Sequence, residues 1–234
     1  MPRKEMLQEE LQYNEKDQLI AKGYRLNGKR EGEYVSYFGN GQVMARLFYR
    51  NGLREGEAAS YYHDGQVREK GVFRNNKLVG GYVCYYENGQ IREAEHYTDD
   101  GLLDGEYRLY YRNGQVKDEE HFKDGKFEGD YVSYYKDGSR KEMGRFKNDK
   151  REGEYIAYYK NGRIKEQAVY RNGKLVGEFR AFDEKGNGVS PKNKSTDAAP
   201  ADDDESTQER ERMVDNLLKG LDRFSSGQKT DTQR

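Results

Sequence analysis

The sequence predicts an all-β repeat fold: an elongated up-and-down ribbon of β-hairpins, a solenoid, with a C-terminal amphipathic helix after a flexible linker. Three observations carry this expectation. A glycine-anchored phrase returns about every 24 residues, a turn dipeptide sits at a fixed place inside it, and the composition changes after residue 188. The glycines that open the phrase are Gly32, Gly56, Gly80, Gly105, Gly129, Gly153 and Gly177, spaced by 24, 24, 25, 24, 24 and 24 residues. A fixed period between about 20 and 50 residues marks a solenoid or array. Six full units therefore cover residues 32–176, and a half unit at each end extends the repeat region to residues 18–188.

Composition narrows the class. The chain balances 42 Lys and Arg against 43 Asp and Glu, so no net field points to nucleic acid or to an anionic membrane surface. Hydrophobic residues make up only 33%, which is thin for a compact globule, but 21 tyrosines and nine phenylalanines supply large surfaces that pack in a thin layer. Cys84 stands alone, which excludes a disulfide within the chain and fits a reducing compartment. The opening MPRKEMLQEELQ has no apolar run after its basic residues, and nothing in the chain approaches the roughly 18 apolar residues of a membrane span. The expectation is a cytoplasmic protein.

The elements follow in order. Residues 1–17 contain MLQEELQY, read as a short helix of two turns capping the first hairpin. Within each unit, the fifth residue after the glycine is Tyr37, Tyr61, Tyr85, Tyr110, Tyr134, Tyr158 and finally Phe182. The next is Phe38, Tyr62, Tyr86, Tyr111, Tyr135 and Tyr159, a row that Asp183 breaks as a terminal repeat facing water should. Turn glycines follow from Gly41 to Gly186, preceded by Asn or Asp in every unit but the last. Asn-Gly and Asp-Gly are the strongest short hairpin signals and point to a type I′ turn here. A second strand then carries Val43, Val67, Ile91, Val116, Arg140 and Ile164, and a second turn of the kind RNGKLVG closes the unit. Strands about 4.8 Å apart would carry six two-strand units over roughly 58 Å.

Successive strand residues face opposite sides, so the aromatic doublet puts one ring on each face. A two-residue turn would set the second aromatic against the Val/Ile row and the first against Arg68, Arg92, Lys117, Lys141 and Lys165; a bulge would change these pairs. The adjacent acidic row, Glu69, Glu93, Asp118, Glu142 and Glu166, reads as a solvated ladder that protects an open sheet from edge association.

The phrases GEYVSYFGNGQV, GEAASYYHDGQV, GGYVCYYENGQI, GEYRLYYRNGQV, GDYVSYYKDGSR and GEYIAYYKNGRI resemble the MORN repeat, in the bacterial variant of YwqK-type chains often labelled antitoxins. The resemblance implies a rod or trough of hairpins used for protein contact, in some members for self-association or lipid association, and in the antitoxin-labelled group a toxin as partner. Ala58 in a mostly aromatic position, Arg140 in the aliphatic row and the extra residue in YTDDGLLDG depart from the pattern.

After the repeats, residues 189–205 read as a disordered linker containing the acidic run Asp202 to Glu205. Residues 206–226 begin with an S-x-x-E capping box at Ser206 and Glu209 and carry Met213, Val214, Leu217, Leu218, Leu221 and Phe224 at helical spacing; residues 227–234 read as a tail. One amphipathic helix must bury its apolar face on its own ribbon, on a partner or on a second copy.

No constellation for chemistry emerges. His96 and His121 occupy equivalent places in neighbouring units, roughly 10 Å apart, too far to share a zinc ion whose bonds are about 2.0–2.3 Å. Cys84 sits in a small-residue row with Ser36, Ser60 and Ser133, and the glycines punctuate hairpins rather than open a phosphate loop. Every carboxylate of the repeats belongs to a row, whereas a catalytic pair is singular. The expectation is a non-enzymatic interaction scaffold without cofactor or metal. Its partner-binding residues are Tyr61, Tyr85, Tyr110, Tyr134 and Tyr158 on the ribbon, and Met213, Leu217, Leu218, Leu221 and Phe224 on the tethered helix. Neutralisation of a toxin and lipid association are the alternative functions.

Overall fold

The computed structural model describes residues 6–190, and within them the chain forms one open antiparallel sheet of 21 strands. Each long strand pairs with the long strands before and after it, and the two-residue strands fold back only on the strand that precedes them, so the topology is up-and-down throughout. The MLQEELQY segment is a strand, Leu7–Tyr13, and not the short helix its sequence suggested. Its alternating Leu7, Glu9, Leu11 and Tyr13 fit the period of two of the pleat, and it pairs along its whole length with Leu19–Leu26. The expected helix between residues 206 and 226 lies outside the described residues, as do its linker and tail beyond residue 190.

The two turns of each unit divide the glycine chemistry differently from the expectation. At the turn after the aromatic doublet, the Gly41 N–H donates to the Phe38 carbonyl at 2.9 Å and the Phe38 N–H to the Gln42 carbonyl at 2.8 Å. Only the glycine there takes a positive φ, 83° at Gly41, while Asn40 does not. This is a type I turn closed by a glycine bulge, the longer alternative to a two-residue I′ loop. Asn or Asp is selected at this place for its side-chain oxygen, which accepts the N–H two residues on, as Asn40 does from Gln42 at 3.0 Å and Asp64 from Gln66 at 2.9 Å. The I′ geometry appears at the second turn, where Asn51 and Gly52 have φ of 53° and 83° and Arg50 pairs directly with Leu53. In the unit with the inserted residue, the second turn takes the bulged form instead: the Thr98 N–H donates to the Leu102 carbonyl and only Gly101 has positive φ.

The bulge fixes the register. Tyr37, Tyr61, Tyr85, Tyr110, Tyr134 and Tyr158, the first members of the doublets, stand opposite Val43, Val67, Ile91, Val116, Arg140 and Ile164. A slip of one residue in a strand turns every following side chain to the other face. The acidic row therefore faces inward and is not the solvated ladder that the shorter turn implied: Glu69 and Glu93 are 4% and 1% exposed. They lie opposite Ser60 and Cys84, small residues that leave room for a carboxylate.

The core sits on this inner face. Tyr34, Tyr82, Tyr107, Tyr131 and Tyr155 are buried there with Phe73, Tyr97, Phe122 and Tyr170. The rings meet edge to face, as Tyr107 and Phe122 do at 6.0 Å and Tyr155 and Tyr170 at 6.3 Å. Arginines cover the aromatic row in some units: Arg30 lies 4.1 Å from the Tyr34 ring centre and Arg151 4.8 Å from that of Tyr155.

Candidate interaction surface

Three sets of contacts hold one unit to the next and decide which surface is left over. At the second turn, the acid before the opening glycine accepts the backbone N–H of the following turn: Glu31 from Asn51, Glu55 from Asn75, Asp104 from Asp124, Glu128 from Asn148 and Glu152 from Asn172, at 2.7–3.2 Å. At the bulged turn, the second tyrosine of each doublet reaches across the unit boundary. The hydroxyls of Tyr62, Tyr86, Tyr111, Tyr135 and Tyr159 donate to the carbonyls of Tyr85, Tyr110, Tyr134, Tyr158 and Phe182 at 2.6–2.8 Å. Phe38 has no hydroxyl, and its ring stacks instead on His63 at 3.8 Å. Asp183, in the last place of this row, uses its carboxylate to hold its own turn through the N–H groups of Lys185 and Asn187.

On the inner face, hydroxyls donate to the inward carboxylates, of which Glu69 and Glu93 are buried and Asp118 and Glu142 half-buried. Tyr82 and Ser60 bind Glu69 at 2.7 and 2.6 Å, Tyr107 binds Glu93 at 2.7 Å, Tyr155 binds Glu142 at 3.0 Å and Ser133 binds Asp118 at 2.6 Å. Burial, and then the Glu69 charge beside it, raises the Tyr82 phenol far above its ordinary value. Burial likewise pushes the Cys84 thiol up to about 12, the opposite of what a nucleophilic cysteine needs. Among the described residues no group of three His, Cys, Asp or Glu side chains is placed to hold a metal ion.

The outer face remains. It carries the sequence-predicted Tyr61, Tyr85, Tyr110, Tyr134 and Tyr158, half-buried and at equivalent registers on successive hairpins, so the structure does place these five in one row. The cations expected opposite them are displaced by the bulge, which sets the Val/Ile row there instead. Lys70 lies 5.9 Å from the centre of the Tyr85 ring, and Arg140 stands opposite Tyr134. Two of the row have hydroxyl partners in the neighbouring strand: Tyr134 donates to Glu119 at 3.0 Å and Tyr158 to the Met143 sulfur at 3.5 Å. Burial, with the Glu119 bond second, raises the Tyr134 phenol above its ordinary value.

Exposed large apolar residues gather on this same face. Phe48, Val72 and Val169 alternate out from buried neighbours along their strands, and Ile91 and Ile164 stand opposite outer tyrosines. Ion pairs interleave them, Glu33 with Arg46 at 3.1 Å and Asp130 with Arg145 at 3.8 Å. Sequence reasoning named the tyrosine row but missed these apolar residues, which their alternation with inner residues along the second strand would have shown. Met213, Leu217, Leu218, Leu221 and Phe224 lie outside the described residues.

Five stretches of the chain, residues 30–51, 54–75, 78–99, 103–124 and 151–172, match the model of the MORN repeat variant. The intervening hairpin, which carries Arg140, keeps the same register without being among the five. A comparison with curated proteins finds no match. Among solved structures, a GtfA/B complex bound to UDP and GlcNAc is 13% identical over 51% of this chain and 23% of that chain, with a TM-score of 0.22. A TcdB2-TccC3-Cdc42 structure is 11% identical over 74% of this chain and 13% of that one, with a TM-score of 0.21. A porin-like protein from Bacteroides uniformis is 7% identical over 74% of this chain and 93% of that one, with a TM-score of 0.20. The chain thus spans less than a quarter of the first two, and at these TM-scores none of the three bears on function.

Proposed function

We propose that this chain, built from repeats of the MORN variant, is a non-catalytic cytoplasmic scaffold that binds a protein partner across the outer face of its sheet. The observation that carries the reading is the division of labour between faces. The inner face is filled by packed aromatic rings and carboxylates that accept their hydroxyls, while the outer face repeats a half-buried tyrosine beside exposed aliphatic residues and charge pairs. That mixture of rigid aromatics, apolar area and a charged rim is the chemistry of an interface. Repetition also suits binding better than catalysis, since it offers several equivalent contacts and no singular pair of groups.

The test is affinity capture from native lysate with the full chain, a Tyr61→Lys/Tyr85→Lys variant and a version ending at Gly188, read by mass spectrometry. A partner that is retained by the wild type and lost from a folded tyrosine variant supports the outer-face reading. A partner held equally by both contradicts it. A partner lost only on truncation at Gly188 assigns binding to residues beyond the repeats. The antitoxin-labelled resemblance makes a toxin the first partner class to try, through rescue of growth on co-expression.

A further inference from the structure

The sheet is open, and its two ends are finished differently. At the far end the outermost strands are short, Arg180–Phe182 with three residues and Gly188–Val189 with two. At the near end stands Leu7–Tyr13, seven residues long and, among the described residues, paired only with Leu19–Leu26. Proteins blunt such edges with short strands, prolines, lysines or an interrupting bulge. Leu7–Tyr13 contains no proline and no lysine, and its register runs unbroken from Leu7 to Gln12. Its side chains Leu7, Leu11 and Tyr13 are exposed on the outer face.

One side of this strand's backbone faces outward. The Tyr24 carbonyl accepts from the Glu31 N–H, so Tyr24 directs its polar groups away from the first strand. Direction alternates along an antiparallel strand, so Gly23 and Arg25 direct theirs toward it, at Glu10 and Gln8. The N–H and C=O groups of Leu7, Glu9 and Leu11 therefore point past the edge. Those of Tyr13 join them, because the Asn14 N–H donates back to the Gln18 carbonyl.

Charge does not guard the edge. Glu9 pairs with Lys22 at 2.9 Å, and Glu10 with Arg25 at 3.0 Å and Arg30 at 3.4 Å, all within the same chain. The strand is also complementary to itself. Turned antiparallel about a twofold axis at Leu11, it sets Leu11 against Leu11 and Glu9 against Tyr13 on the outer face, and Glu10 against Gln12 on the inner face. Apolar meets apolar, each carboxylate meets a hydroxyl or an amide, and no like charges stand directly opposed.

We propose that Leu7–Tyr13 is a self-association edge: two copies of this chain join their first strands about this axis and continue as one sheet. A twofold axis perpendicular to the sheet keeps both outer faces on the same side, so the pair presents the tyrosine row twice. The short strands at the far ends do not repeat the contact, and association stops at two. The proposal does not depend on what the outer face binds.

Sedimentation of the full chain over a range of concentrations tests it. The expected result is a reversible dimer whose dissociation constant rises about tenfold or more in Leu11→Lys, which sets like charges across the axis. Leu11→Pro removes an N–H that points away from Leu19–Leu26, so the fold should survive, as circular dichroism checks, while the dimer is lost. Val189→Lys, at the far end, should leave the dimer unchanged. Leu11→Cys should cross-link two chains on oxidation, since directly paired Cα atoms lie about 5.5 Å apart and the native Cys84 is buried. A wild type that stays monomeric at its highest soluble concentration, its edge left to another protein's strand, overturns the proposal. So does a dimer indifferent to Leu11→Lys and Leu11→Pro, or one that dissociates only in the version ending at Gly188. A dimer that dissociates in both variants but never cross-links overturns the axis at Leu11.

Discussion

Replacing Glu69 by alanine should destabilise the sheet far more than the same change at Glu57, although both are acids of the repeat. Glu57 is exposed, and its removal should shift stability by no more than about 0.5 kcal/mol. Glu69 is 4% exposed and accepts the hydroxyls of Ser60 and Tyr82, the latter only 1% exposed. Its loss strands both donors away from water, at about 1–3 kcal/mol each. The ion pair with Arg68 adds little, because that arginine is 40% exposed and such pairs are worth no more than about 1 kcal/mol. Removing a costly buried charge offsets part of the loss, leaving about 2–4 kcal/mol. Urea unfolding followed by tyrosine fluorescence and circular dichroism measures it. A double-mutant cycle with Tyr82→Phe isolates the bond and should give a coupling of about 1–2 kcal/mol, because removing donor and acceptor together leaves neither stranded. If Glu69→Ala costs no more than Glu57→Ala, or if the cycle is additive, the inward carboxylate row is wrong and the register with it.

The clasp between units predicts that Tyr111→Phe and Tyr135→Phe each cost about 0.5–1.5 kcal/mol while leaving the ring packing intact, measured by the same unfolding curves; an unchanged midpoint would show that the hydroxyls satisfy water equally well. Gly144→Ala places a Cβ 2.8 Å from the Tyr131 ring and should cost about 1–3 kcal/mol, whereas Gly81→Ala should be neutral within about 0.5 kcal/mol. The buried phenols set a pH limit. Burial raises the Tyr34, Tyr82 and Tyr155 hydroxyls in the folded chain, so folding favours their protonated forms. That stability is fully present below the unfolded phenol value of about 10 and is lost as pH rises above it. The melting temperature should therefore hold level from neutral pH to about pH 10 and then fall steeply; a level profile continuing well past that point would contradict the burial of these hydroxyls.

The period, the strand order of the repeats and the places of their turns were legible in the sequence because each depends on spacing alone, whereas the strand Leu7–Tyr13 and the turn after it lie outside the repeat and were read as a helix. What spacing cannot settle is which residue of a turn carries the positive φ, since Asn-Gly serves an I′ loop through both residues and a bulged type I loop through glycine alone. That single ambiguity propagated into the faces. With the bulge, Tyr85 meets Ile91 rather than Arg92, and Glu93 turns inward to meet Cys84. A signal for the inward row was present nonetheless: its members in the earliest units are Ala21 and Ala45, both buried, and residues facing them across the sheet are small, as with Ser36, Ser60 and Cys84. A solvated ladder has no reason to begin with alanine or to stand opposite so regular a line of small side chains. The second tyrosine of the doublet was hidden for a different reason, because its partner is a backbone carbonyl one unit on, which no side-chain pattern records. The same logic separates Gly81 from the other glycines of the repeat. Those at the turns are held by positive φ and would be glycine whatever the chain bound. Gly81 answers to no backbone or packing demand, and in its unit the cation that pairs with the repeat's acid is also absent, since Ala94 stands where Arg46 stands in the first.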